Sequence, residues 1–460
     1  MKFKIKKIIS SPVLYILIAA FIARIYFIIY PGIAWWDASI YIGMGKYFFS
    51  GGAVGVEELF RPILWPLILG FVWKLGLNPY YFGMVLDLAL NLGAIFLTYV
   101  IAEKIINRKA AIFAAILLAI SPTFIFYSSK VLTENLTVFI MLLAVYFFID
   151  KKYSLAGFLA GITVLLRYPQ GLLLFAFLGF IWLFTKDKTK QKLIDSAKTI
   201  ICFSIPLATI AIYNIFAFGD ILYQVREASE RIRTSGMMLP EAWSFYLIAI
   251  TLECFFAFLF LYSIYISWKE KNRKMLLIQI IFIIFFIYYS TVMRKEIRYL
   301  MVVLPMLYLS IGQVFDNIYY KRMFNRHIVK YVIFALIIIF AITSFYNIKS
   351  EHARFNRPAV PEVMENFFDS QLLQGSTIIS SSPNPVVYAD ARVIPMEPSV
   401  YYSYLNQSAD YYMFYSCDFF CADEECATDR ATFINIIDRT KPLLYNNTVG
   451  FCSYLLYENI

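Results

Sequence analysis

Charged residues are sparse in this chain, 16% of its 460 positions, and four stretches gather them where they could do chemistry. In WWDASIYIGMGKYF (35–48), Asp37 follows two tryptophans and precedes two glycines. A carboxylate in such surroundings can be partly desolvated and serve as a general base. The plainer reading is interfacial, because Trp and Tyr gather at membrane boundaries and a lone Asp there often caps a helix. SPTFIFYSSKVLTENL (121–136) carries Lys130 and Glu134, although Thr133 or Glu134 could simply cap the next helix and complement its dipole. GFLAGITVLLRYPQGLL (157–173) carries Arg167, whose long stem would allow it to snorkel. The densest stretch is MRKEIRYLMVVLPMLYL (293–309), with Arg294, Lys295, Glu296 and Arg298 directly against an apolar helix. A convergent Arg/Lys set suits a phosphate, and the alternative is an ion-pair patch that positions the helix.

Other chemistries lack their residues. The chain has no GxGxxG, P-loop or HExxH, and its two histidines, His327 and His352, are too few for a His-based triad or metal cage. There is no DxD, so neither a divalent metal nor another cofactor is expected.

The elements that must position these residues are membrane helices. With 60% hydrophobic residues and a mean hydropathy of +0.66, the chain could not hide its apolar surface in water. Apolar windows near 13–30, 81–103, 110–127, 133–150, 154–167, 169–184, 199–217, 244–267, 275–292, 298–316 and 329–346 predict about 11 spans. Basic clusters at 2–7, 104–109, 151–152, 186–198, 269–274 and 321–330 mark cytoplasmic loops, and their placement between spans argues against nucleic-acid binding. The KFKIKK opening and the run after it read as a first membrane helix, since no small-residue cleavage pattern follows. Alternation holds only if residues 61–74 do not cross. That run is short, bracketed by charges and carries Pro62 and Pro66, which fits an interfacial helix on the outer surface.

Residues 346–460 hold 14 acidic and 7 basic residues, against 17 and 34 before them, which sets a predicted boundary between a membrane domain (1–345) and an outer α/β domain (346–460). GSTIISSS (375–382) reads as a strand and ATDRATFINIIDRT (427–440) as a helix. Cys417, Cys421, Cys426 and Cys452 all fall in the tail, an even set that reads as disulfides, with the pairing open and zinc the alternative. Cys202 and Cys254 lie in spans, and Asn406 and Asn446 begin N-x-S/T triplets.

Taken together, these stretches resemble the polytopic GT-C glycosyltransferases, specifically the protein O-mannosyltransferase-like and aminoarabinose-transferase-like members that use polyprenyl-phosphate sugars. The likeness spans most of residues 12–345. Its points are Asp37 followed by Tyr41 and Gly45, RPILWPLILGFVWKLG (61–76) as the family's juxtamembrane helix, Thr133 with Glu134, Gly157-x-x-x-Gly161 with Arg167 and Pro169, and KEIRY with Pro305.

The resemblance implies that Asp37 is the catalytic base and that Arg298 and Lys295 hold the lipid phosphate. Arg294, Lys130 and Arg61 join the donor-binding set, and Tyr41, Glu134, Arg167 and Glu296 support it. The implied activity is an inverting transfer of a sugar from polyprenyl (dolichyl) phosphate to a hydroxyl of a glycan, lipid or protein on the extracytoplasmic side. The expected setting is a prokaryotic plasma membrane with the tail outside. Two departures stand out: no second acidic residue lies directly beside Asp37, and the tail lacks WWDYG, which disfavours oligosaccharide transfer. A transporter or flippase of a lipid-linked substrate is the rival, and would use ionisable residues or broken helices near the midplane; Asp87, Asn91 and Glu253 lie in predicted spans. A sensor whose tail binds a ligand is a third reading.

Overall fold

The structure is a computed structural model that describes residues 12–30, 34–238, 241–320, 326–355, 373–396, 398–418, 421, 424–449 and 452–459. The KFKIKK opening and residues 321–325 of the last basic cluster lie outside the described residues. The chain folds as two compact units, each drawn from separated stretches. One takes the chain up to Ile29, Leu86–Ser129 and Thr133–Ser350; the other takes Tyr30–Val85, Lys130–Leu132 and the chain from Glu351. Where charge suggests one boundary near residue 345, packing gathers the loops at 30–85 and 130–132 with the tail.

The first unit is helical and built for lipid. Among the described residues, five helices are long and apolar enough to cross a membrane: Pro12–Ile29, Pro79–Ile105, Thr189–Phe218, Arg273–Thr291 and Lys330–Glu351. Only 22% of the first, 22% of the third and 17% of the last is buried inside the protein, and side chains such as Phe216, Ile212 and Phe345 face outward. So much exposed apolar surface is stable only against hydrocarbon, and the protein is an integral membrane protein. Several predicted single spans are broken. Residues 110–127 form Arg108–Ala119 and Pro122–Phe126, because Pro122 disfavours helical backbone at the residue before it and the Ser121 side chain caps the new start. Residues 244–267 form Phe245–Glu253 and Leu259–Lys269, and 298–316 begins as a 3-10 turn, Ile297–Val302, before Leu304–Tyr320.

Buried polar groups tie these breaks together. The Glu253 carboxylate accepts hydrogen bonds from Ser121, from Thr123 Oγ1 (2.5 Å) and N (3.2 Å), and from Tyr308 (2.9 Å). Arg24 donates to Asn91 (2.7 Å) and to the Ala119 carbonyl (3.0 Å), while Asn91 donates to Asn135 (2.9 Å). Gly157 and Gly161 let Tyr153–Val164 lie against Thr189–Phe218, since a Cβ at either would meet a backbone oxygen of that helix at 2.3 Å. The Gly-x-x-x-Gly pair is thus a helix crossing.

Loops marked by basic clusters meet at one end of this unit. Lys104 pairs with Asp150, Asn272 donates to the Ile105 carbonyl (2.9 Å), Arg273 to the Phe184 carbonyl (2.6 Å), and Asn107 to Asp316 (2.6 Å).

The second unit joins two helices to a sheet. Trp36–Ser50 ends at Gly51 in the left-handed conformation, and Leu64–Lys74, at 11 residues and about 16 Å, is too short to span. The two helices cross where Gly45 meets Gly70, and a Cβ on Gly70 would lie 2.4 Å from the Gly45 oxygen. The tail carries β1 (Thr377–Ser380), β2 (Arg392–Pro395), β3 (Tyr411–Tyr415), β4 (Leu443–Val449) and β5 (Cys452–Glu458), in the order β2-β1-β3-β5-β4. The β1 strand is parallel to β2 and β3, while β5 is antiparallel to β3 and β4. The helix Glu424–Thr440 covers the sheet through Phe433 and Ile437, packed with Tyr401, Tyr412 and Phe414. Disulfides link Cys417 to Cys452 and Cys421 to Cys426. At the β2 edge the loop after Ser50 adds a bridge of its own: Gly55 N donates to the Ala391 carbonyl (2.9 Å) and Val393 N to the Gly55 carbonyl (2.8 Å).

Candidate functional site

The sequence-predicted residues fall into two groups, one in each unit. In the second unit, Asp37 stands in the first turn of Trp36–Ser50, where the helix dipole favours a carboxylate. Arg61 reaches it from the following loop, with Nη1 2.8 Å from Oδ1, and also holds Glu58 through Nε at 2.6 Å. Its guanidinium lies over the ring of Tyr41, 5.5 Å from the centroid. Burial alone would lower the Arg61 pKa, but Glu58 and Asp37 outweigh it, so the net shift is upward and the group stays positive. Arg61 is therefore a partner of Asp37, already held between two carboxylates.

Lys130 stands on the short loop before Thr133–Ile149, buried, with Nζ 6.0 Å from the ring of Trp35. Burial pushes its ammonium down to about 8. The next residue, Val131, has φ +55, an unfavourable left-handed conformation for a β-branched residue, and such strain concentrates at functional sites. Two contacts fix it. Trp65 Nε1 donates to the Val131 carbonyl (3.1 Å), and Val131 packs so closely on Gly83 that a Cβ there would lie 2.5 Å from Cγ1.

The first unit holds the other group. Glu134, buried at the start of Thr133–Ile149, pairs with Arg167, and Arg298 Nε lies 3.8 Å from the same oxygen. The Glu296 carboxylate holds Arg298 at 2.6 Å and Arg294 at 3.1 Å. Arg167 lies 4.8 Å from the centroid of Tyr299 and Arg298 5.7 Å from it, and Tyr289 stacks on Tyr299 at 5.6 Å. Lys295 donates to the Glu241 carbonyl (3.0 Å). Capping is thus not the whole use of Glu134, which links two arginines from different turns. Among the described residues, no three His, Cys, Asp or Glu side chains come together as metal ligands.

Further residues shape the Asp37 helix, and sequence reading passes over them. Ser39 donates to Asn384 (2.7 Å), which sits in the SSSPN loop after β1. Lys46 pairs with Asp390 (2.8 Å), which also accepts from Trp73 (3.0 Å), and burial, partly offset by Asp390, lowers the Lys46 ammonium. Glu58 alone was within reach of sequence, three residues before Arg61.

This architecture has known counterparts. The crystal structure of ArnT from Cupriavidus metallidurans bound to undecaprenyl phosphate superposes with a TM-score of 0.68 at 11% identity, covering 97% of this chain and 96% of that one. The archaeal oligosaccharyltransferase AglB from Archaeoglobus fulgidus, in complex with an inhibitory peptide and a dolichol-phosphate, gives 0.58 at 13% identity over 87% of this chain and 69% of that one. The chain therefore shares the fold of these two proteins, with a small sheet region in its C-terminal part. Within it, residues 61–216, about a third of the chain, match the family model of dolichyl-phosphate-mannose-protein mannosyltransferases. A search of curated protein sequences finds no match.

Proposed function

We propose that this protein is a membrane glycosyltransferase that moves a sugar from a polyprenyl phosphate to an acceptor hydroxyl on the extracytoplasmic side. The observation that carries this reading is the assembly of Asp37, Arg61, Tyr41 and Lys130, from segments far apart in sequence, into one unit of a GT-C fold. The acceptor oxygen attacks the anomeric carbon, its proton passes to Asp37, and the bond to the phosphate oxygen breaks with its electron pair leaving on polyprenyl phosphate. A single displacement inverts the anomeric centre. The departing phosphate is a stable anion, so it needs positive charge more than a proton; Lys130 is the cation of the Asp37 unit that supplies it, and Lys295 and Arg298 stand as further candidate donor-binding residues. Arg61 orients Asp37, and Glu134 and Glu296 set the arginines. No metal is assigned a role. The tail lies on the same membrane side as Asp37.

A positioned base contributes about 10²- to 10⁴-fold. Asp37→Asn is expected to lower kcat by that range with the melting profile unchanged, measured with dolichyl-phosphate mannose and with undecaprenyl-phosphate sugars on a panel of protein, lipid and glycan acceptors. Full turnover in the variant would remove Asp37 from the mechanism.

A further inference from the structure

Three helices of the first unit carry one of the charged clusters at each end. Thr133–Ile149 starts beside Glu134 and ends at a turn through Lys151; Leu172–Phe184 follows Arg167 and ends before Lys186; Arg273–Thr291 starts at Arg273 and leads into Arg294–Arg298. Seventeen helical residues rise about 25 Å, close to the thickness of a hydrocarbon core. The Lys151 end therefore sits at the membrane face opposite the Glu134 cluster.

At that face lies a partly open cavity of about 230 Å³. Lys151, Lys186, Arg273 and Lys274 line it, with Asp187 as the acidic member. Asp187 is matched to Lys151 at 3.3 Å, so three cations on the rim are left without a lining carboxylate. Lys151 has φ +58, a position that usually takes glycine, and here the chain places a lysine there. The floor is aromatic: Phe148 lies 5.8 Å from Phe180, and Phe180 stacks on Phe184 at 5.6 Å. Behind it Phe148 stacks on Phe177 at 4.1 Å, which fixes the floor in place.

We propose that this cavity binds the headgroup of an anionic phospholipid. A phosphate among Lys186, Arg273 and Lys274 would meet donors that stand at the headgroup level, and the glycerol and upper acyl carbons would lie on Phe148, Phe180 and Phe184. A soluble anion would use the rim alone and gain nothing from the aromatic floor, which sits where acyl chains begin. The ligand is thus a lipid of the leaflet opposite the Glu134 cluster, bound independently of any sugar transfer.

The test uses the full chain in a neutral detergent, titrated with phosphatidylglycerol, phosphatidylcholine or inorganic phosphate and followed by native mass spectrometry and thermal unfolding. Phosphatidylglycerol is expected to bind roughly tenfold more tightly than phosphatidylcholine and to raise the unfolding midpoint. Lys186→Gln with Lys274→Gln should weaken that binding by roughly 25-fold, about fivefold for each lysine, whereas Lys186→Arg with Lys274→Arg should retain it. Equal binding of both lipids, an unchanged affinity in the Gln pair, or inorganic phosphate competing at the concentration of the lipid itself would overturn the proposal.

Discussion

The sequence-predicted residues form an assembly of carboxylates and arginines in each unit, around Asp37 in one and around Glu134 in the other, and the two differ in how they are held. In the second unit, Asp37 and Arg61 are 16% and 20% exposed, sit on a helix start and a loop, and are placed by backbone contacts between glycines. In the first, Glu134 is 1% exposed and pinned by two arginines at the ends of membrane helices. The Asp37–Arg61 pair keeps contact with solvent, which screens its charges. The Glu134 assembly cannot lose a member without stranding charge in a poorly solvated place. One pair is partly solvated and the other is locked in place.

That contrast breaks cleanly under mutation. Removing the buried partner of two arginines is the largest change after Asp37→Asn itself: Glu134→Gln is expected to destabilise the protein by roughly 3 to 5 kcal/mol, read as a lower unfolding midpoint in detergent. Arg61→Gln should cost under about 1 kcal/mol in the same measurement, yet lower transfer, since the pair is partly solvated. Equal losses of stability in the two variants would erase the distinction. Next in size is Gly45→Ala. Its Cβ would meet the Pro66 oxygen at 2.5 Å, so the two helices must part, at roughly 1 to 3 kcal/mol, and the Asp37 helix tilts. Here kcat should fall more than donor KM rises, because the substitution shifts the helix that carries the proposed base.

The smallest effect is one of pH. Burial brings the Lys130 ammonium down to about 8, so the hold on a phosphate proposed for it is present below that value and fades above. Donor KM should therefore rise by a few fold between pH 7.5 and 9. Lys130→Arg stays charged throughout and should flatten that limb; a wild-type KM constant across the range would exclude Lys130 from donor binding.

Much of this was legible in the residues. The polarity of the chain announced membrane helices, and the short, proline-bearing run at 61–74 forms a helix too short to cross, as alternation of the basic loops requires. The tail strand at Thr377–Ser380 and the helix at Glu424–Thr440 follow their sequence patterns because both bury an alternating or helical apolar face in a local core. The helix under Asp37 was harder to read. Residues 36–50 hold two glycines and several aromatics, poor helix formers, and the helix stands because Gly45 seats on Gly70, a contact that local propensity does not encode. The amphipathic helix Tyr223–Met238 escapes a search for apolar spans because it is polar, with Arg231 on Glu227 and Arg233 on Glu230 along its face. The broken spans were hidden for the opposite reason. Hydropathy sees residues 244–267 as continuous, and only the hydrogen bonds that Glu253 collects from Ser121, Thr123 and Tyr308 reveal that a turn belongs there.

The bridge between Gly55 and the β2 edge sets an order of events during synthesis. Gly55 leaves the ribosome more than three hundred residues before Arg392, its partner across the bridge, a gap of roughly 20 to 70 s at ordinary elongation rates. Throughout that interval the loop that follows the Asp37 helix has no edge to join, and Lys46 has no Asp390. The second unit is thus a late, high-contact-order assembly closed by the C-terminal strands. A nascent chain released before β2 would carry its membrane helices intact and its Asp37 helix unanchored, so the arrival of the tail strands acts as the checkpoint on the placement of that helix.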